Sequence, residues 1–211
     1  MWLLFVSAFV LFATVGVALS RDGLVGSSSP AATAVKAAHL LFLATSLGAT
    51  IWAILVGGLV MFLHLPRHTM GRLRGKVFPV CFALNAACTA VSAAAFAWLR
   101  HPWEEATADE RRQLALLIAT VGFDLANLLL FTPRTLKVMQ ERHIVERGLG
   151  IGNQGSLDGW RSNARASMSD ASLAAANKRF RAAHIPSAVA LLASISGLAT
   201  HSWYLAGKLA L

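Results

Sequence analysis

KAAHLLFLATSLGATIWAILVGGLVMFL, residues 36–63, carries one charged side chain, Lys36 at its first position, and no acid. A helix rises about 1.5 Å per residue, so roughly 20 such residues cross the hydrocarbon of a bilayer. The run therefore reads as a transmembrane helix. Working outward, residues 2–19, 77–99, 114–131 and 184–209 have the same character, and polar or charged segments separate them. With 211 residues, 56% of them hydrophobic, the chain fits one compact membrane bundle and leaves little for a soluble domain. The expected fold is all-α: an integral membrane bundle of four antiparallel transmembrane helices plus an extra N-terminal transmembrane helix.

The domain organisation follows from the same blocks. Residues 1–20 read as a retained transmembrane or signal-anchor helix, because the run lacks a basic start and Arg21 and Asp22 follow it directly. Residues 21–35, rich in Gly, Ser and Ala, read as a flexible linker. Residues 36–211 form the four-helix domain. Leu65-Pro66 ends the 36–63 helix, since the residue before a proline avoids helical geometry. Thr132-Pro133 predicts a fresh helix start, with Thr as cap and Pro in the first turn. That amphipathic helix runs to about Arg147, and Gly148, Gly150 and Gly152 stop it. A polar loop over 153–163 and a second amphipathic helix over 164–183 are expected before the last span.

Charge sets the orientation. Arg67, Arg72, Arg74 and Lys76 occupy the first loop of the bundle without an acid, and the 132–181 segment holds nine Lys and Arg against four acids. The loop at 100–112 instead mixes three basic residues with Glu104, Glu105, Asp109 and Glu110. Alternation of this kind matches the positive-inside rule and puts both basic loops on the cytoplasmic, matrix or stromal side. The net charge of +9 is thereby explained without nucleic acid, because juxtamembrane cations attract anionic lipids. Membrane lipids are the expected partners at this face. Either an endomembrane or an organellar inner membrane suits the pattern.

Polar residues inside the apolar blocks mark candidate sites. Asp124 is the one acid within a span, where an unpaired carboxylate is expensive, so it should face the interior. Asn127 lies one turn on, and Asn85 and Ser194 fall at similar depth, which predicts a polar intramembrane layer. His39 and His201 are the one histidine pair the topology allows inside the bundle, and facing histidines of this kind hold haem or pigment. Cys81 and Cys88, seven residues apart on one helix, are too far apart for a disulfide and read as small packing groups. No metal-ligand spacing, nucleophile elbow or phosphate loop is present, so no metal, cofactor or catalytic residue is expected. Gly48 and Gly58, with Ala86, Ala90 and Ala94, give helix surfaces smooth enough for close packing within the chain or against another subunit.

Several of these elements together resemble the transmembrane protein 205-like family. They are His39-Leu40-Leu41 with Gly48, Trp52 and Gly58, and Leu65-Pro66-Arg67-His68-Thr69 followed by Gly71 and by Lys76-Val77-Phe78-Pro79. Asn127 with Pro133-Arg134-Thr135, Glu146-Arg147-Gly148-Leu149-Gly150, and Phe180, His184 and Ser187 complete the set. The resemblance covers residues 36–209 and implies a four-helix membrane fold. It carries over no catalytic residue. The chain departs from the pattern in its N-terminal block and in Leu191, where related chains can have a polar residue opening the last helix.

Arg67, His68, Arg134, Glu146 and Arg147 gather near two loop entrances on the basic side, where they would clamp the loops or a lipid phosphate. The expected function is that of a non-enzymatic membrane protein, an accessory or scaffolding subunit that holds lipids and partner helices or self-associates. The alternative is an oligomeric small-solute or ion translocator centred on Asp124, and, further off, a haem or pigment carrier.

Overall fold

The computed structural model describes residues 29–208. Its long helices are α1 (Pro30–His64), α2 (Arg67–Leu99), α3 (Ala108–Gly148) and α5 (Ala171–Ala206), with the shorter α4 (Ser156–Ser169) between the last two. The helix expected over 1–20 and the first part of the expected linker lie outside the described residues. The rest of that linker is helical: Ser29 Oγ accepts the Ala32 amide at 3.2 Å, and Pro30 opens α1. An alanine-rich start with a serine cap is enough to nucleate it there.

Leu65 is extended (φ −107°, ψ 145°), as a residue before proline should be, and α2 restarts at Arg67. The break expected at Thr132-Pro133 does not occur. A π turn over Asn127–Phe131 immediately precedes it, and the Thr132 amide bonds the Asn127 carbonyl. The wider turn accommodates the proline ring and its missing N–H, so α3 continues to Gly148. The second loop helix is also displaced. α4 covers Ser156–Ser169, and the chain breaks at Asp170, whose carboxylate accepts the Leu173 amide at 2.8 Å. From Ala171 one helix runs through Pro186 to Ala206.

α1 packs on α2, α2 on α3, α3 on α5, and α5 closes the ring against α1. Leu43, Ala93, Phe96, Leu117 and Leu198 form the apolar core near the acidic-loop end. α3 and α5 approach closely at Gly197, where a Cβ would run into Thr120 Oγ1. Cys81 and Cys88 are both buried free thiols. The outer surface is apolar: Leu40, Trp52, Leu59, Ile118, Leu129 and Leu192 are all more than half exposed. In water such a surface would drive aggregation. In a bilayer it is the expected lipid-facing belt, and the four long helices are 33 to 41 residues each with hydropathy suited to spanning. Trp98 and Trp203, both exposed near helix ends at the acidic-loop side, supply the interfacial aromatics.

Candidate functional site

The expected polar layer resolves into separate pairs. Asp124 is fully buried, and its Oδ1 accepts Ser194 Oγ at 3.0 Å across the α3–α5 contact. Asn127, at the head of the π turn, hydrogen-bonds Ser187 on α5 at 2.7 Å. Asn85 is bonded to Thr50 rather than to Asp124, and Ser46 meets Thr89 at 3.0 Å, so these tie α1 to α2. The other oxygen of Asp124 and the Asn85 carbonyl are buried without a partner.

His39 and His201 are brought together more closely than haem allows. Their Nε2 atoms lie 3.2 Å apart and share a hydrogen bond. At about 2 Å per metal–nitrogen bond, two axial histidines would stand about 4 Å apart with a macrocycle between them. The outer nitrogens are also engaged: His39 Nδ1 with Ser92 at 2.8 Å and His201 Nδ1 with Gln113 at 2.9 Å, while Phe96 packs on both rings. The expectation of haem or pigment ligands is corrected to a histidine pair that links α1, α2, α3 and α5 within a dense core.

At the basic end the centre is Glu146, fully buried on α3. Arg67 reaches its Oε1 at 3.0 Å, His68 Nε2 its Oε2 at 2.8 Å, and Arg142 lies 3.4 Å away, one turn back on α3. Asn163 of α4 donates to Oε1 at 2.7 Å and accepts from Asn177 of α5 at 2.8 Å. One carboxylate thus joins four helices. The loop before α4 is held to the same place: the Arg67 amide bonds Gln154 O and the His68 amide bonds Gly152 O, both at 3.2 Å. Gly152 has φ +104°, and a side chain there would overlap the His68 ring, so glycine is required twice over. Arg134 and Arg147 are exposed and form no ion pair with Glu146, so they stand outside the cluster it holds. Arg142, His143, Asn163 and Asn177 take their place. Arg142 and His143 carry an i,i+4 and i,i+3 signal toward Glu146, whereas Asn163 and Asn177 carry no local one.

Beside this cluster lies a cavity of about 800 Å³ lined by all five helices. Arg67, Arg74, Arg142 and Arg181 are in its wall together with His143 and His184, and no acidic residue among the described residues lines it. Phe62, Phe78, Phe82, Leu136 and Leu191 give it apolar sides, and Trp160 and Met168 of α4, both exposed, are also in its wall. Arg74 donates to Gly58 O at 2.8 Å, and the Arg142 guanidinium stacks 3.8 Å over the Phe180 ring. A π turn over Ile51–Val56 in α1 borders the space through Ile54, and Thr132, directly after the α3 π turn, borders it as well. His68, His143 and Glu146 place ligand atoms within 4.8 Å of one another, a spacing a divalent ion can use. Two guanidiniums on the same carboxylate oppose the added positive charge, so anion chemistry suits the place better.

Fold and site together define a multi-pass helical membrane protein with a basic, ligand-sized cavity at one end. The chain is 32% identical to transmembrane protein 205 of Danio rerio over 120 residues, 57% of this chain and 63% of the relative, and so spans less than two thirds of that protein's length. A family model described as a domain of unknown function (DUF4149) matches residues 41–144. No solved structure matches. The chain thus resembles transmembrane protein 205 over part of its length and is an integral multi-pass membrane protein.

Proposed function

We propose that the protein is a non-enzymatic accessory or scaffolding subunit of a membrane assembly, holding lipids at its basic end and a partner helix, or a second copy, on its outer face. The observation that carries this reading is a shallow apolar groove between α1 and α2. Ala34, Ala38, Ala94 and Ala95 form its floor, with Val35, Val91 and Trp98 around it. Small residues let helix backbones approach closely in lipid, where packing rather than water exclusion drives association. Of the surfaces expected to be smooth, Ala94 takes part in this groove, Gly48 is exposed on the outside of α1, and Ala86 is used up inside the bundle. Purification of the full chain in mild detergent tests the reading. A stoichiometric partner or dimer should co-purify and be lost in Ala38→Phe and Ala94→Phe; retention in both, or a monomer free of partners, would overturn it.

A second reading has its own support in Asp124, whose unpaired oxygen is buried at mid-bundle. A lone intramembrane carboxylate is a titratable centre for proton or cation movement. In liposomes, Asp124→Asn should then abolish pH-dependent flux, and flux that survives the change would remove Asp124 from the mechanism.

A further inference from the structure

We infer that the cavity bounded by all five helices is a binding site for a membrane lipid with an anionic headgroup. The inference deepens the lipid-holding part of the proposed function and rests on it. The charge in the cavity is out of balance. Four guanidiniums line it, and the nearest carboxylate, Glu146, already serves Arg67 and Arg142. Arg142 is only 8% exposed. Taking a cation out of water is costly unless a counterion sits beside it, and the penalty is larger at membrane depth.

The unmet donors point the same way. Arg74 Nε and His143 Nε2 are buried without hydrogen-bond partners, and both residues line this one space, while Arg142 Nε has only the 3.4 Å ion pair with Glu146. Planar guanidinium forks are the side chains best matched to the oxygens of phosphate or carboxylate. Arg74 lies seven residues into α2 from Arg67, about 10 Å deeper along the helix axis, so the cationic zone extends below the loop level. A small free anion would leave the aromatic and leucine walls uncovered. An amphiphile satisfies both: oxyanion at the arginines, chain along Phe62, Phe78, Phe82 and Leu191. The volume falls within the roughly 300–1,000 Å³ of ligand sites. Exposed Trp160 and Met168 of α4 are also in the wall, so the cavity reaches the basic segment between the last two spans, where a headgroup would lie.

Native mass spectrometry of the full chain, delipidated in neutral detergent and titrated with dioleoyl phosphatidic acid, dioleoyl phosphatidylcholine or inorganic phosphate, tests this. Phosphatidic acid should bind about tenfold more tightly than phosphatidylcholine, a difference of about 1.4 kcal/mol, and phosphate should not displace it. Arg74→Gln should erase the preference and Arg74→Lys restore part of it, while Leu191→Trp should weaken both lipids by filling the chain channel. Arg112→Gln, exposed at the opposite end, should change nothing. Equal binding of the two lipids, displacement by phosphate, or unchanged binding in both Arg74→Gln and Leu191→Trp would overturn the site. Should Arg74→Gln fail to fold, lipid selectivity of the wild type and Leu191→Trp decide. Loss of the partner subunit with this selectivity intact would refute the accessory role alone.

Discussion

Glu146 shows how much one buried side chain can hold in this protein. Its two oxygens take contacts from Arg67, His68 and Asn163, with Arg142 beside them. Removing its charge takes the counterion from buried Arg142 and part-buried Arg67, and breaking a buried pair from one side costs about 3–5 kcal/mol. Glu146→Gln should therefore lower thermal stability in detergent strongly, whereas Glu141→Gln, an exposed neighbour on the same helix, should leave it nearly unchanged. Glycine supplies a second contrast. Gly150 and Gly152 both have positive φ, but a Cβ at Gly150 meets nothing within 4 Å, whereas one at Gly152 overlaps His68. Gly150→Ala should cost about 1 kcal/mol from backbone strain alone, and Gly152→Ala clearly more, read as a larger fall in melting temperature. At this scale the sequence pointed to Arg67, His68 and Glu146 through loop entrances and charge. It could not point to Asn163 or Asn177, which are ordinary polar residues until α4 folds against α5.

Among the elements, the four spans within the described residues were legible because bilayer thickness demands a length of apolar helix that no loop imitates. Their joints were not. Pro133 signals a helix start locally, yet the π turn at Asn127–Phe131 absorbs it and α3 runs on. Asp170 caps α5 in the middle of a stretch whose alanine content reads as one uninterrupted helix. In both places neighbouring helices decide which of two locally acceptable backbones persists. Contact between elements also gives a prediction. Gly197→Ile should push α5 from α3 at Thr120 and destabilise by about 1–3 kcal/mol, measured by thermal unfolding. Gly48→Ile, where a side chain meets nothing within the chain, should leave stability unchanged.

For the whole molecule, orientation is the property to measure. The first and third loops of the bundle are stitched together by Arg67 and His68 to Gln154 and Gly152, so both must lie on one side of the membrane. Single cysteines placed at Arg72 and Gln154 should react with an impermeant maleimide from the same side, and one at Glu104 from the other; Cys81 and Cys88 are buried and should stay silent. Labelling of positions 72 and 154 from opposite sides would refute this topology. The sequence by itself determined that this is a helical membrane protein and which end is basic, because apolar length and charge bias act along the chain without regard to partners. Only the tertiary structure decided that His39 and His201 bond each other instead of flanking a cofactor. It alone separated the expected polar layer into Asp124–Ser194, Asn127–Ser187 and Asn85–Thr50, and it alone assembled the arginine-lined cavity. Those outcomes depend on the rotation and tilt of each helix against its neighbours, a rigid-body geometry set by side chains far apart in sequence.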